Sequence, residues 1–448
     1  MKSGSSNPLS YALAWIAAEV STLSRYYDAV VQWRPRSQDH GQLLDQIECA
    51  HKTVASTGEQ LREICATHGS VLVLFNGNTN YDLDIQATFE EVHRYLNRSS
   101  RVVLVSYNSY LTWAYRLAKW LGLRRDEIPA TFITRTSLAC LCKLAGFEVV
   151  RSRPCCPSPL NLGPLSAVFN QISALMPLSR TSALAEVTTL RPVKSETTRP
   201  SLSIIVPARN ERGNLRRILE EIPDLDCQME VVFVEGHSTD GTWEELQRLI
   251  PEYRHRFPIQ SIQQSGVGKC DAVRSGFSRA SGEVLTILDA DLTMPAPMLR
   301  RFYDAYLQGH GDFINGNRLT YPMEGKAMRF LNRLGNLFFA KSLSSVLEVP
   351  LGDSLCGTKL VSRVTYDKMC QWRADFGDFD PFGDFELLFP AAILGLGIMD
   401  MPIHYRDRVY GSTNISRFRH GFILLKMTCI GLFRVRLSPP PRRPSRVR

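Results

Sequence analysis

Residues 281–295 read SGEVLTILDADLTMP. Val284, Leu285, Ile287 and Leu288 form a short apolar run of the kind a parallel sheet buries on both faces, so the stretch predicts a strand. The run stops at Asp289-Ala290-Asp291. Two carboxylates one residue apart at the end of a buried strand repel each other and lose hydration, which costs free energy unless a cation compensates them. A hard divalent ion does so when it bridges carboxylate oxygens and the phosphates of a bound molecule. Strand ends of open α/β sheets are also where ligands collect. A solvated acidic turn can be written with the same three residues, and the flanking motifs weigh between the two readings.

The chain has 448 residues, 44% of them apolar and 22% charged, which is room for two or three domains of ordinary globular composition. Its net charge of +9 is unevenly spread. Arg442, Arg443, Arg446 and Arg448 crowd a proline-rich stretch, 437–448, that has no acid; this predicts a disordered basic tail suited to an anionic surface. No nucleic-acid module accompanies the charge, so nucleic acid is not an expected partner. The eleven cysteines are odd in number and lack a repeated spacing. Cys140-x-Cys142 and Cys155-Cys156 have no second pair and no nearby histidines, so buried free thiols in a reducing compartment are expected. The apolar run Tyr11–Ala18 is short for a signal peptide's core and no small-residue cleavage site follows it in a loop, so a signal peptide is not expected. No window reaches the roughly 18 apolar residues of a spanning helix. The expectation is a cytoplasmic protein, soluble or peripheral on the cytoplasmic face of the membrane.

Residues 1–70 are expected to be mainly helical, from apolar spacing around Leu43, Ile47 and Leu61. Beyond them strands and helices alternate: a strand Val71–Phe75 ending in Asn76-Gly77-Asn78, a helix Ile85–Leu96, a strand Val102–Ser106, a helix Leu111–Leu121, then a helix Ser137–Ala145 turning at Gly146 into a strand Phe147–Val150. This is a doubly wound pattern. FNGNTNYDLDIQATFEEVHRYLNRSSRVVLVSYNSY, followed by LCKLAGFEVV, resembles the second half of a class I S-adenosylmethionine-dependent methyltransferase domain, over about residues 70–190. The family's glycine-rich turn is absent: Gly77 stands alone, and the segment before it is too short for the missing strands. The resemblance therefore implies a truncated or degenerate methyltransferase-like domain over 1–191, structural or partner-binding in role. Pro192–Pro200, PVKSETTRP, reads as a linker, placed at 192–201.

From Leu202 the alternation resumes. Ser203–Val206 is a strand ending in Pro207-Ala208-Arg209-Asn210-Glu211; Glu230–Val234 ends in Glu235-Gly236-His237; Gly266-Val267-Gly268-Lys269 opens a helix Cys270–Arg279, and the strand before Asp289 follows. VPARNE, VEGHSTDGT, GVGKCDAVRSGF, LDADLTMP, FINGNRL, LCGTK, FGDFDPFGDFELLF and YRDRVYGSTNI stand in this order. Together they resemble the family 2 glycosyltransferases of the GT-A fold, among them the dolichol-phosphate mannosyltransferase-like enzymes. The expected fold class is therefore α/β: a GT-A (Rossmann-like) glycosyltransferase domain over 202–436, behind the truncated methyltransferase-like α/β domain.

The resemblance implies transfer of a sugar from a nucleoside-diphosphate sugar, with inversion. Asp289 and Asp291 would hold Mg²⁺ or Mn²⁺. Pro207, Ala208 and Glu211 would contact base and ribose, with Glu235 as a second base contact. Asp240 is read as a helix cap. Lys269 sits at a glycine-rich helix start, a phosphate environment. Asp271 either bonds the ribose or caps the helix, and Arg318 is placed to reach a phosphate. Asp384 matches the residue that takes the acceptor's proton, with Asp378, Asp380 and Glu386 nearby; if the acceptor is a polyprenyl phosphate, its oxygen is already anionic and Asp384 would orient a group or bind metal instead. Arg406 and Arg408 suit a phosphate. Gly421–Phe433 either lies in a membrane interface or packs on the domain. A lipid-phosphate acceptor at a membrane surface is the expected partner, with a soluble hydroxyl acceptor or a methyltransferase activity as alternatives.

Overall fold

The computed structural model describes residues 8–36, 39, 41–108, 111–122, 131, 133–161, 163–176, 182–322, 330–377, 383–408, 410, 417–437 and 439. The chain forms two compact units: Met1–Lys194 with Ile393–Gly395 and Leu432–Arg448, and Ser195–Ala392 with Leu396–Gly431.

The first unit contains six strands, β1 (Ala29–Trp33), β2 (His51–Ala55), β3 (Val71–Asn76), β4 (Arg101–Tyr107), β5 (Phe147–Cys155) and β6 (Ala185–Pro192), in the spatial order β2-β1-β3-β4-β6-β5. β2, β1, β3 and β4 are parallel, whereas β6 runs antiparallel between β4 and β5. Alternation along β3 makes the sheet a divider between two apolar layers. Leu72 and Leu74 face Trp15, Ile16 and Val20 of the helix Pro8–Ser24. Val71, Val73 and Phe75 face Leu61, Phe89 and Val92.

Two expectations for this unit fail. The first 70 residues are not mainly helical, because β1 and β2 lie within them, and so the segment is not too short to supply strands. β1 is a fully buried five-residue run, too short to show any period, and β2 is an edge strand with exposed His51, Lys52 and Thr53. The helical spacing around Leu43 and Leu61 belongs to two separate short helices, Gln42–Gln46 and Gly58–Thr67. β5 also continues past Val150 to Cys155, across Arg151 and Arg153. Those arginines hid the strand, since a buried charge has no apolar signature; Arg153 is neutralised by Glu19 at 2.8 Å, both side chains buried.

The second unit carries β7 (Leu202–Ala208), β8 (Met229–Glu235), β9 (Ile259–Gln263), β10 (Val284–Ile287), β11 (Phe313–Asn317), β12 (Lys359–Ser362) and β13 (Ile398–Pro402), in the order β13-β11-β12-β10-β7-β8-β9. β10, β7, β8 and β9 are parallel; β12 is antiparallel to both β10 and β11. Ile204, Val206, Val231 and Phe233 enter the main core, with Phe302 and Tyr303 packed into it. On the other face the helix Lys269–Arg279 lies so close that a methyl group at Gly276 would strike Ile205 and Val234. The α/β expectation holds for both sheets.

Every cysteine is a free thiol, but burial is not uniform: Cys142, Cys155, Cys156, Cys270 and Cys356 are buried, whereas Cys140 and Cys429 are exposed on helices. Among the described residues no helix is long and apolar enough to cross a membrane. The helix Arg417–Gly431 packs on the domain through Leu424 and Met427 and leaves Phe422 and Leu425 exposed. Of the two readings of Gly421–Phe433, packing on the domain holds for Leu424 and Met427. The tail arginines lie outside the described residues.

Candidate active site

The strand order puts the first strand of the second unit, β7, between β10 and β8, so the chain turns in opposite directions on its two sides. A crevice opens at the carboxyl ends of strands where this happens. Val284 pairs with Leu202 and Ile287 with Ile205, and the amide of Leu288 still bonds the Ile205 carbonyl at 2.9 Å. Asp289 therefore leaves the sheet beside Pro207, and on the other side Ala208 pairs with Glu235.

Each carboxylate of the Asp-Ala-Asp turn has a basic partner. Lys269, at the start of its helix, is ion-paired with Asp289. Burial alone would raise the Asp289 pKa, but the Lys269 ammonium, with Lys359 and Arg318 behind it, outweighs that and holds it low. The same contact raises the pKa of Lys269 against the opposing effect of burial. Asp291 accepts from the Thr293 amide at 3.1 Å and the Thr293 hydroxyl at 2.8 Å through Oδ1, and from Arg408 at 2.5 Å through Oδ2. The Arg406 amide donates to the Thr293 carbonyl at 2.9 Å, pinning the basic loop to that turn. Glycine at 357 follows from this crowding: a Cβ there would fall on the Lys269 ammonium and the Asp289 carboxylate.

Asp384 precedes the helix Phe385–Ile393 and meets Lys359, the first residue of β12, at 2.5 Å. The Lys359 side chain is 1% exposed and also donates to the Cys356 carbonyl. Sequence reasoning quoted the LCGTK motif but gave Lys359 no role; a lysine opening an otherwise apolar strand was the available signal. Glu386 points elsewhere. It is buried under Arg274, Arg373 and the Cys270 thiol, the last at 2.9 Å, and these partners hold its pKa low against the effect of burial. Asp378 and Asp380 lie outside the described residues, as do Gly411-Ser412-Thr413-Asn414.

Several expected contact residues spend their polar atoms inside the protein. Glu235 is 1% exposed and accepts from the Ser238 amide at 2.5 Å and Gln263 at 3.4 Å, closing the turn after β8. Glu211 is buried, accepts from Asn214 at 2.6 Å, and donates its amide to the Thr242 hydroxyl at 3.0 Å. Burial pushes its carboxyl up to about 7. Asp240 accepts from the Thr242 amide at 3.1 Å, but the helix is capped by Gly241 without a side-chain bond, so Asp240 braces the turn ahead of the helix instead of capping it. Asp271 accepts from the Gly266 amide at 2.9 Å and closes the glycine turn. Arg318 is held along one edge of its guanidinium by fully buried Asp353, through Nε at 2.7 Å and Nη2 at 2.9 Å. Pro207 and Ala208 offer backbone only; the Ala208 carbonyl accepts from Gly236 at 2.9 Å.

Among the described residues no three or more His, Cys, Asp or Glu side chains are grouped to hold a metal ion. Asp289 and Asp291 are a two-carboxylate set, already matched by cations, and this fits Mg²⁺ or Mn²⁺ of the kind that takes its remaining ligands from substrate phosphates.

Residues 203–368 match Glycosyl transferase family 2. The chain is similar to the dolichyl-phosphate hexose transferase of Haloferax volcanii, with 29% identity over 228 residues, 51% of this chain and 92% of that protein. It is also similar to the dolichol-phosphate mannosyltransferase of Pyrococcus furiosus, with 34% identity over 128 residues, 28% of this chain and 34% of that one. Among solved structures it resembles the mannosyltransferase PcManGT of Pyrobaculum calidifontis in complex with GDP-Man and Mn²⁺, with 20% identity and a TM-score of 0.39, over 56% of this chain and 69% of that one. The segment that carries β7, β10 and the Asp289–Asp291 turn lies within the residues that match the Glycosyl transferase family 2 model.

Proposed function

We propose that this protein transfers a hexosyl group from a nucleoside-diphosphate sugar to a polyprenyl phosphate at a membrane surface. The observation that carries the reading is the alternation of charge at the crevice: Asp289 with Lys269, Asp291 with Arg408, Asp384 with Lys359. A diphosphate entering there meets cations already held in place, and a divalent ion on Asp289 and Asp291 would neutralise the diphosphate as it departs. Lys269 and Arg408, freed from their carboxylates by that ion, have the charge and reach to hold phosphate oxygens. The names of the two curated relatives, both acting on a dolichyl phosphate, support the acceptor class.

Asp384 bears on the acceptor. Its Oδ1 already accepts a hydrogen bond from the Lys359 ammonium. A carboxylate engaged in this way suits an acceptor that arrives anionic and needs no general base. Lys359 then positions Asp384, and the pair orients the acceptor. Arg318 acts through Asp353 and Tyr405, with its guanidinium 5.5 Å from the Tyr405 ring, as support for the loop. We assign residues 202–436 to this activity, and read 1–191 as a methyltransferase-like sheet that keeps its strands without a glycine-rich cofactor turn.

The test is transfer from a panel of nucleotide sugars to a polyprenyl phosphate and to soluble sugars. Transfer to the lipid phosphate should require Mg²⁺ or Mn²⁺ and fall at least about 10²-fold in Asp289→Asn or Asp291→Asn. Asp384→Asn should cost the lipid acceptor less than the roughly 10²–10⁴-fold expected of a lost general base. Full activity in excess chelator would remove the metal from the proposal, and a 10²-fold or larger loss in Asp384→Asn, confined to a hydroxyl acceptor, would replace the acceptor class.

A further inference from the structure

The helix Pro164–Ile172 in the first unit is built inside out. Its buried stripe is polar: Ser166 and Asn170, continued by Ser173. Its outward stripe is Leu165, Val168, Phe169 and Ile172, continued by Leu175 and Met176, with Leu165 82% exposed. The polar stripe is used up internally. Asn170 brackets Ser158, accepting from its amide and donating to its carbonyl at 3.0 Å each. Ser166 and Ser173 donate to the carbonyls of Gly163 and Asn170 at 3.0 and 2.7 Å. In water the favourable arrangement is the reverse, since burying one large apolar side chain is worth about 1.5–3 kcal/mol.

A second helix, Thr112–Trp120, repeats the pattern. Trp113, Leu117 and Trp120 share one stripe, followed by Leu121, and Trp120 is 80% exposed. Tyr115, on the opposite side, is buried and donates its hydroxyl to the Leu184 carbonyl at 2.7 Å. Arg116 and Lys119 are exposed beside the stripe. The two helices are tied to one end of the sheet: the Leu184 amide bonds the Cys156 carbonyl at 3.2 Å, Cys155 pairs with Ala185, and Asn170 holds Ser158. Contiguous apolar patches of this kind mark a partner surface.

Charge identifies the partner. Residues 154–179 contain no charged side chain, and residues 92–125 contain basic residues but no acid. A second copy docked face to face would oppose its own cations with no carboxylate on either helix to meet them. An anionic bilayer meets both features, with tryptophan and leucine at the acyl boundary and lysine and arginine among the headgroups. Each helix has nine residues, too short to span. We propose that this end of the first unit docks in the plane of an anionic membrane interface, which gives the unit a function independent of which sugar or acceptor the second unit uses.

Flotation of the full chain with vesicles of phosphatidylcholine, with and without added phosphatidylglycerol, tests this. The chain should float with the anionic vesicles, less so as salt rises. The quadruple variant Trp113→Ser, Trp120→Ser, Phe169→Asp, Ile172→Asp should bind at least about tenfold more weakly. Because these side chains are exposed, its unfolding transition should be kept. In the unaltered protein, brominated phosphatidylglycerol should quench tryptophan emission, and Trp113→Tyr with Trp120→Tyr should lose that quenching. Equal flotation of variant and parent, or no quenching in the parent, would overturn the proposal. So would a concentration-dependent dimer that the quadruple variant dissociates, since the occupant would then be a second copy.

Discussion

Glu211 shows how a single buried carboxyl sets a pH dependence. Burial holds its pKa at about 7 against an ordinary 4.5, although Asn214 and Arg408 pull the other way. Between those values the folded protein binds more protons than the unfolded chain, so stability falls as pH rises from 4.5 towards 7 and stays reduced above it. Glu211→Gln keeps an oxygen for Asn214 and removes the titration. We expect the variant to be more stable than the parent by about 1–3 kcal/mol at pH 8 and nearly equal to it at pH 4.5, measured by urea unfolding at each pH. An equal difference at both pH values would show that burial of the charge is not the cause. Asp289, nearby, behaves oppositely, because Lys269 more than offsets its burial. The two acids differ in what faces them.

At the level of elements, the turn ahead of β12 limits the site as much as the charged residues do. Cys356-Gly357-Thr358 passes the Asp289–Lys269 pair with no space for a methyl group. Gly357→Ala must displace one member of that pair, while the strand that follows keeps its register with β10 and β11. Transfer should fall at least about 10²-fold, while the unfolding free energy falls by only about 1 kcal/mol. Steady-state assay and chemical denaturation of the same preparation would separate the two effects, and a stability loss of several kcal/mol would mean that the turn is structural rather than a wall of the site. Gly276 is tight for another reason: it lets the Lys269 helix sit on Ile205 and Val234, which delivers Lys269 to the strand end.

At the scale of the whole molecule, two α/β sheets share one chain, and among the described residues the Asp-Ala-Asp turn with its basic partners belongs to the second. In the first unit β1 ends in Trp33-Arg34-Pro35-Arg36, with no glycine to let backbone approach a cofactor. Gln32 and Asn76 there both donate to Asp39, closing the strand ends with side-chain contacts. The full chain should therefore not bind S-adenosylmethionine. Titration calorimetry should give no heat at ligand concentrations in the micromolar range, and micromolar affinity would restore a cofactor site to this unit.

What the sequence determined by itself was local. An apolar run ending in two carboxylates reports a buried strand and the place where it ends, because both depend on adjacent residues. The glycines at 266 and 268 report a helix start for the same reason, and the order of the motifs pointed to the family whose model residues 203–368 match. The tertiary structure decided which charges meet. Lys359 and Asp384 lie 25 residues apart, and Glu386 meets Cys270 and Arg274 across 116 and 112 residues. Such pairings follow from strand order and packing, to which no short window is sensitive. The same limit hid β1 and β2, whose short runs become strands only when β3 lies alongside β1. It also hid the apolar stripes of Pro164–Ile172 and Thr112–Trp120, because their spacing is that of any amphipathic helix. Only the fold, by burying Asn170 and Tyr115, turned those stripes outward.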